Sequence, residues 1–319
     1  MLKRKAFRKI MITTFSIITI FIICMVPDKY NSNGDYLNAK IDTIYVGNDM
    51  TNSIYLLGPN GYLVKTNVVV TKESLEDKIK EIINYLIINK SSKIPDGLSG
   101  IIPSGTKLNS ISIDNRIVTL DFSNTLLNTS IELEERTIES IVYSLIDIDG
   151  IEGIIIKIDG ELLKLLPQNK KIIPGVLNRS YGINKVFEIN NYNNVEKVIL
   201  YYIDNINNSN YYVPVTKYIN DDRDKIKIII ENLSSNYIYE SSLMSLLKSN
   251  TELINYEIEE KTMTLNFNNE IFTNNKLLEE VTYPISMSVF DNYDVDSIIF
   301  KVEGKDIYTY QKCCGIKES

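Results

Sequence analysis

The sequence predicts an α+β protein: two tandem small domains, each a mixed sheet covered by two helices, behind an N-terminal transmembrane helix. Three observations predict it. The chain repeats itself at an offset near 145 residues, the hydrophobic period switches between strand and helix twice in each copy, and a charge-free run follows a basic N-terminus.

The repeat sets the organisation. Val118–Asn128 (VTLDFSNTLLN) matches Met263–Thr273 (MTLNFNNEIFT) at an offset of 145, and Ile155–Gly160 (IIKIDG) matches Ile299–Gly304 (IFKVEG) at 144. Tyr62–Val70 aligns more loosely with Tyr211–Ile219 at 149. The domains expected from this are a basic cluster and anchor over 1–29, a first domain over 45–166, a linker over 167–195, a second domain over 196–308 and a polar tail over 309–319. The linker carries Pro167, Pro174, Gly175, Gly182 and several asparagines without a clean period, and its Lys185–Ile189 stretch alternates weakly enough to extend a sheet.

In the first copy, Ser53–Leu57 and Tyr62–Val70 read as strands joined through Gly58, Pro59, Asn60 and Gly61. Leu75, Ile79, Ile82, Ile83, Leu86 and Ile87 then share one helical face, with Thr71 as the expected N-cap. Strands Lys107–Ile113 and Arg116–Phe122 flank Asp114–Asn115, a two-residue hairpin composition. A second helix follows a capping box of Thr129 and Glu132, and Gly153–Ile158 closes the unit as a strand. The second copy repeats this order, with strands near Lys197–Ile203 and Tyr211–Ile219, a helix over Asp221–Leu233 and a hairpin over Leu253–Phe267. Pro284 lies inside its last helical pattern, where a kink or early break is expected.

Lys3, Arg4, Lys5, Arg8 and Lys9 precede the seventeen uncharged residues Ile10–Val26. A helix of that length spans roughly 25 Å, short of the ~30 Å hydrocarbon core, and the basic flank holds the N-terminus in the cytoplasm. The main body is then expected outside the cell membrane. Two readings of the segment stand: an uncleaved single-pass anchor, and a lipoprotein signal acylated at Cys24, although Ile23 stands where a small residue is the rule. Cys313 and Cys314 are adjacent in the tail, a spacing that strains a disulfide.

The formal charge is −7; less the five N-terminal cations the remainder carries −12, which argues against nucleic acid as a partner. The chain contains no histidine, which removes Ser-His and Cys-His nucleophilic systems and most zinc sites. The acid clusters have simpler roles: Asp147 and Asp149 end a helix, Asp221, Asp222 and Asp224 begin one, and Glu257 and Glu259 alternate on the solvent side of a strand. The sequence therefore predicts no enzyme, no cofactor and no metal, and disfavours a small-molecule ligand. The 21 tyrosines are expected in cores and on sheet faces.

Gly100–Asn128 (GIIPSGTKLNSISIDNRIVTLDFSNTLLN) resembles the GerM domain signature: an I-P-x-G-T-x-L loop, a hairpin and a following D-[LF]-[ST] segment. Ile156–Gly160 fits that family's closing strand and turn, and the second copy's YVPVTKYI fits its early strand. The second copy lacks the proline loop and shows LMSLLKSNTELI at Leu243–Ile254 instead. The resemblance implies a fold similar to ring-building modules, no catalytic residues, and a membrane-tethered role in sporulation or germination through other proteins of a membrane complex, with the main body extracytoplasmic, including the intermembrane space of a forming spore. On the residues themselves, Ile102, Pro103, Gly105 and Thr106 form a structural turn: Pro103 fixes φ and Gly105 permits a tight reversal.

Overall fold

Each copy contributes a long hairpin, and the two hairpins merge into one sheet. A computed structural model describes residues 51–89, 91, 93–235, 242–312 and 315–317. The first hairpin is β1 (Thr51–Leu57) with β2 (Leu63–Val69), and its repeat mate is β8 (Val195–Ile206) with β9 (Ser209–Asn220). β2 meets β9 antiparallel at Lys65 and Tyr212, so the shared sheet crosses the boundary between the copies. The expectation of one self-contained sheet per copy is corrected accordingly. The reason is that a two-stranded hairpin alone leaves a face and an edge unsatisfied, and the duplicate offers a matching edge.

Each copy also has a sheet of its own. β3 (Leu108–Asp114), β4 (Ile117–Phe122), β5 (Gly153–Ile158) and the two-residue β6 (Glu161–Leu162) run in chain order in the first. β10 (Leu253–Glu259), β11 (Thr262–Phe267), β12 (Ser297–Val302), β13 (Lys305–Gln311) and β14 (Gly315–Lys317) do so in the second. β4 with β5, and β11 with β12, are parallel pairs, which require a crossover. α2 (Ile131–Ile146) supplies it in the first copy and α4 (Glu279–Asn292) in the second. α1 (Leu75–Leu86) and α3 (Lys225–Ser234) follow the hairpins and bury Ile79, Ile82, Ile83 and Ile226, Ile229, Leu233. One contiguous apolar core runs through both copies, from Ile54 and Leu120 to Leu265 and Phe300.

The outer edges of the shared sheet are closed by helix hydroxyls. The Tyr55 amide donates to Ser144 Oγ at 2.9 Å and Ser140 Oγ donates to the Tyr55 carbonyl at 2.6 Å; in the second copy the Tyr201 amide donates to Ser288 Oγ at 2.9 Å. These serines are buried in α2 and α4 because backbone groups of a strand edge need partners there.

Local corrections follow from hydrogen-bond geometry. Ser74, not Thr71, caps α1 by accepting from the Asp77 amide, while Thr71 bonds Glu81. Ser130 takes the N-cap position of α2 in place of Thr129. The β3–β4 turn is Asn115–Arg116, both at positive φ, one residue later than expected, because the primed hairpin turn needs two left-handed residues. α3 begins at Lys225, not Asp221, since Asp221 is spent on Arg223. α4 runs on through Pro284 without the early break; the proline is in its second turn and buried. The Lys185–Ile189 stretch does hold a strand, β7 (Val186–Glu188), which pairs parallel with β9. The expected anchor and Cys24 lie outside the described residues, as do Cys313 and Cys314. Among the described residues no helix is long and apolar enough to cross a membrane.

Candidate functional site

The signature turn is placed as its composition predicts. Gly105 has φ +85°, and Thr106 donates to the Pro103 carbonyl from both its amide (3.2 Å) and its hydroxyl (2.7 Å). Ile102 is fully buried and hydrogen-bonds the end of α1 through the Leu86 carbonyl. Gly100 lies so close to that backbone that a Cβ would approach the Leu86 oxygen to 2.5 Å. Ser99 exchanges both backbone hydrogen bonds with Leu57 on β1.

The second copy keeps two of these contacts with different residues. Met244 exchanges both backbone bonds with Ile203, as Ser99 does with Leu57, and the Thr251 amide donates to the Lys248 carbonyl at 3.0 Å, as Thr106 does to Pro103. Without the proline motif the second copy keeps these bonds, but Asn250, at the position of Gly105, is not at positive φ, so the turn itself differs.

Beside each loop lies a groove. The first, about 500 Å³, runs between Leu57, Ile101, Pro103 and Ser104 on one side and Thr125, Asn128, Ser130 and Leu133 on the other. None of its lining residues titrates. The second, about 470 Å³, is lined by Lys248, Asn269, Glu270, Phe272, Asn274 and Asn275. Among the described residues no group of acids or cysteines is placed to hold a metal ion.

The buried polar groups are concentrated instead where the linker crosses the shared sheet. Arg179, on a short 3-10 turn, donates to Asp147 Oδ1 at the end of α2 and to Asp291 Oδ1 at 3.1 Å in the last turn of α4. Asp147 and Asp291 are repeat mates at an offset of 144, and each accepts from a repeat-mate tyrosine: Tyr55 Oη to Asp147 at 3.2 Å, Tyr201 Oη to Asp291 at 2.7 Å. A few residues on, Asn184 is 1% exposed with φ +48°. Its Oδ1 accepts from the Leu63 amide at 2.9 Å, and its Nδ2 donates to the carbonyls of Leu63 and Pro214, both at 2.8 Å. Pro214 cannot donate a ladder bond, and Asn184 fills the junction between β2 and β9 in its stead. The Asn184 amide donates to Glu139, which also pairs with the buried Lys185 at 3.2 Å.

Burial raises the Glu139 carboxyl, with Lys185 working against that. Burial, and then the neighbouring Asp carboxylates, push the phenols of Tyr55, Tyr143 and Tyr201 far above their ordinary value. Unfolded tyrosines ionise at about 10, whereas these remain protonated in the fold, so the folded state holds more protons above that pH. Stability is therefore full below about pH 10 and falls by about 1.4 kcal/mol per pH unit for each such phenol above it. A titration of phenolate absorbance is expected to show these groups ionising only together with loss of the far-ultraviolet circular dichroism. Ionisation of all tyrosines within an intact fold would contradict the burial argument.

The comparisons with known proteins follow the same two-part architecture. The family model described as "Germane: Sporulation and spore germination" matches residues 53–164 and 199–308. The chain belongs to the Germane family. It is 28% identical over 269 residues to the spore germination protein GerM of Bacillus subtilis (strain 168), covering 81% of this chain and 73% of that protein. It is also similar to the solved tandem GerMN domains of the sporulation protein GerM from Bacillus subtilis, with a TM-score of 0.74 and 29% identity over 80% of this chain and 91% of that one.

Within this Germane chain the site residues expected from sequence, Ile102, Pro103, Gly105 and Thr106, come together in one turn. The linking residues Arg179 and Asn184 were not foreseen, and Asp147 is a buried ion-pair member as well as a helix end. A signal for half of the arrangement is in the repeat alignment, which superposes Asp147 on Asp291 and Ser144 on Ser288 at 144 residues and Tyr55 on Tyr201 at 146.

Proposed function

We propose that this Germane-family chain is a membrane-anchored, extracytoplasmic assembly protein of sporulation or spore germination, acting through protein–protein contact without chemistry of its own. The sporulation assignment draws support from the family and from the printed names of its relatives. The anchor and outward orientation draw support from the basic cluster ahead of Ile10–Val26.

The observation that carries the reading is how the buried and partly buried polar groups are spent. Asp147, Arg179, Asp291, Asn184 and Glu139 are bonded to one another or to backbone, and they join the copies at the shared sheet. Groups committed this way stiffen a body that presents surfaces. A sensor for cell-wall fragments or germinants would draw on a cleft between the copies; the β2–β9 pairing and Asn184 occupy that junction.

The test uses the full chain, tagged at its C-terminus, in sporulating cells. It is expected to sediment with membranes, to lose its body to protease added from the outer side, and to co-purify after cross-linking with components of a membrane complex. Recovery in the soluble fraction, or repeated cross-linked purifications that return the chain alone, would sink the proposal.

A further inference from the structure

We infer that the hairpin closing the first repeat, residues 161–177, rests on the surface of an anionic phospholipid bilayer. The inference rests on the anchored reading above and names the part of the body that meets the membrane.

The segment has two faces. Leu163, Leu166, Ile173 and Leu177 are buried in the core, while Leu162, Leu165, Ile172 and Val176 are exposed. Leu165 and Ile172 are bridge partners across the hairpin, so their side chains stand side by side on one face. Ile172 is 81% exposed, more than any other isoleucine, leucine or valine among the described residues.

The fold holds this pair outward. The Leu166 amide donates to the Lys171 carbonyl and the Ile173 amide to the Lys164 carbonyl, both at 2.9 Å. Glu134, a buried acid of α2, commits both carboxylate oxygens to the turn, accepting from the Gln168 amide at 2.9 Å and the Asn169 amide at 2.8 Å. A turn fixed in this way loses little conformational entropy on contact. The second repeat closes with the seven-residue β13 instead and has no such hairpin among the described residues, so the fold does not require one.

The charge fits the same partner. Residues 161–177 hold Lys164, Lys170 and Lys171 against Glu161 alone, in a chain that carries −12 beyond Lys9. Lys171 pairs with Glu135, and Lys170 donates to the Pro167 carbonyl within the turn, so Lys164 and Lys170 keep their charge beside Leu165 and Ile172. Aliphatic tips flanked by lysines match the boundary between acyl chains and anionic headgroups. Neither groove is lined by the pair, which projects as a tip and receives nothing. Two aliphatic side chains and two lysines make a weak contact alone; on the anchored reading chain and bilayer are already tethered, and a weak contact is enough.

The experiment uses the full chain with Cys24→Ser, Cys313→Ser and Cys314→Ser, carrying one nitrobenzoxadiazole label at Ile172→Cys. A control chain carries it at Ile258→Cys in the second repeat, where the native side chain is also exposed. Each is reconstituted in phosphatidylcholine vesicles with or without phosphatidylglycerol, both containing a headgroup-nitroxide lipid. The Ile172→Cys label is expected to be quenched in phosphatidylglycerol vesicles, less so at high salt and less so in phosphatidylcholine, and the Ile258→Cys label in neither. Lys164→Gln with Lys170→Gln should lower the contact equilibrium about thirtyfold, about fivefold per lysine. Leu165→Asn should release the label while the chain still floats with the vesicles.

Equal quenching of the two labels, none at Ile172→Cys, or quenching that both variants keep would overturn the inference. So would shielding of the Ile172→Cys label that grows with protein concentration without phosphatidylglycerol, which assigns the face to a second copy. Shielding that needs an extract of sporulating cells assigns it to a protein and overturns the inference too. If the chain fails to float with phosphatidylcholine vesicles, the anchored reading fails by itself. Added phosphatidylglycerol vesicles then decide the hairpin: quenching at Ile172→Cys alone upholds the contact, and its absence overturns it.

Discussion

Arg179→Gln is expected to destabilise the chain by about 3 kcal/mol, because it leaves two largely buried carboxylates with Lys65 beside only one of them. Asp147 and Asp291 have side chains 10% and 6% exposed, and each loses its ion pair with Arg179. Removing one member of a buried pair costs about 3–5 kcal/mol through the charge left behind. The Arg179 side chain is 36% exposed, so water screens part of the loss and the lower end of that range applies. Lys65, 3.6 Å from Asp147, compensates only one of the two acids.

The triple variant Arg179→Gln, Asp147→Asn, Asp291→Asn is expected to regain most of the stability, since no charge is stranded and the Asn side chains still accept from Tyr55 and Tyr201. Chemical denaturation of the parent, single and triple variants decides the matter. A single variant as stable as the parent, or a triple variant worse than the single, would show that the charges are not what the linker neutralises.

Asn184→Ala is the second large effect, on the order of 4 kcal/mol. The substitution leaves the Leu63 amide and the carbonyls of Leu63 and Pro214 buried without partners, at about 1–3 kcal/mol for each group that water does not reach. It also puts alanine at φ +48°, where asparagine is among the tolerated residues and alanine is not. Its effect should be regional. The β2–β9 junction weakens first, while β4–β5 and β11–β12, each held by its own crossover helix, remain.

These expectations concern residues that local sequence reasoning passes over, and the reason is physical. The strands and helices of each copy are legible because burial imposes a period: Val118, Leu120 and Phe122 alternate with less buried neighbours, and Ile79, Ile82, Ile83 and Leu86 recur at helical spacing. The signature turn is legible because Pro103 and Gly105 have few other conformations to offer. Arg179 and Asn184 stand in a stretch without period, where composition says only that the chain turns. What buries them is contact with residues 30 to 121 positions away, which no local pattern encodes.

The same limit explains the shared sheet. The alternation of Tyr62–Val70 and Tyr211–Ile219 marks two strands, but nothing in either says that they are neighbours. The helix start at Ser74 was missed by three residues because Thr71 and Ser74 are both good caps, and only the Asp77 amide distinguishes them. The first groove was not visible at all, since Leu57, Pro103 and Leu133 read individually as core and turn.

The central claim is that two duplicated halves form one rigid body, joined by Arg179 and Asn184, that presents surfaces to partners. Native-state hydrogen exchange read by mass spectrometry, on the full parent chain and on Asn184→Ala, tests it most directly. In the parent, the core amides of β4, β5, β11 and β12 should open with one common free energy and one common dependence on denaturant. In Asn184→Ala, β2 and β9 should open first, and the two halves should separate into two transitions. A parent whose halves already exchange independently, or an Asn184→Ala chain that exchanges as the parent does, would contradict the account.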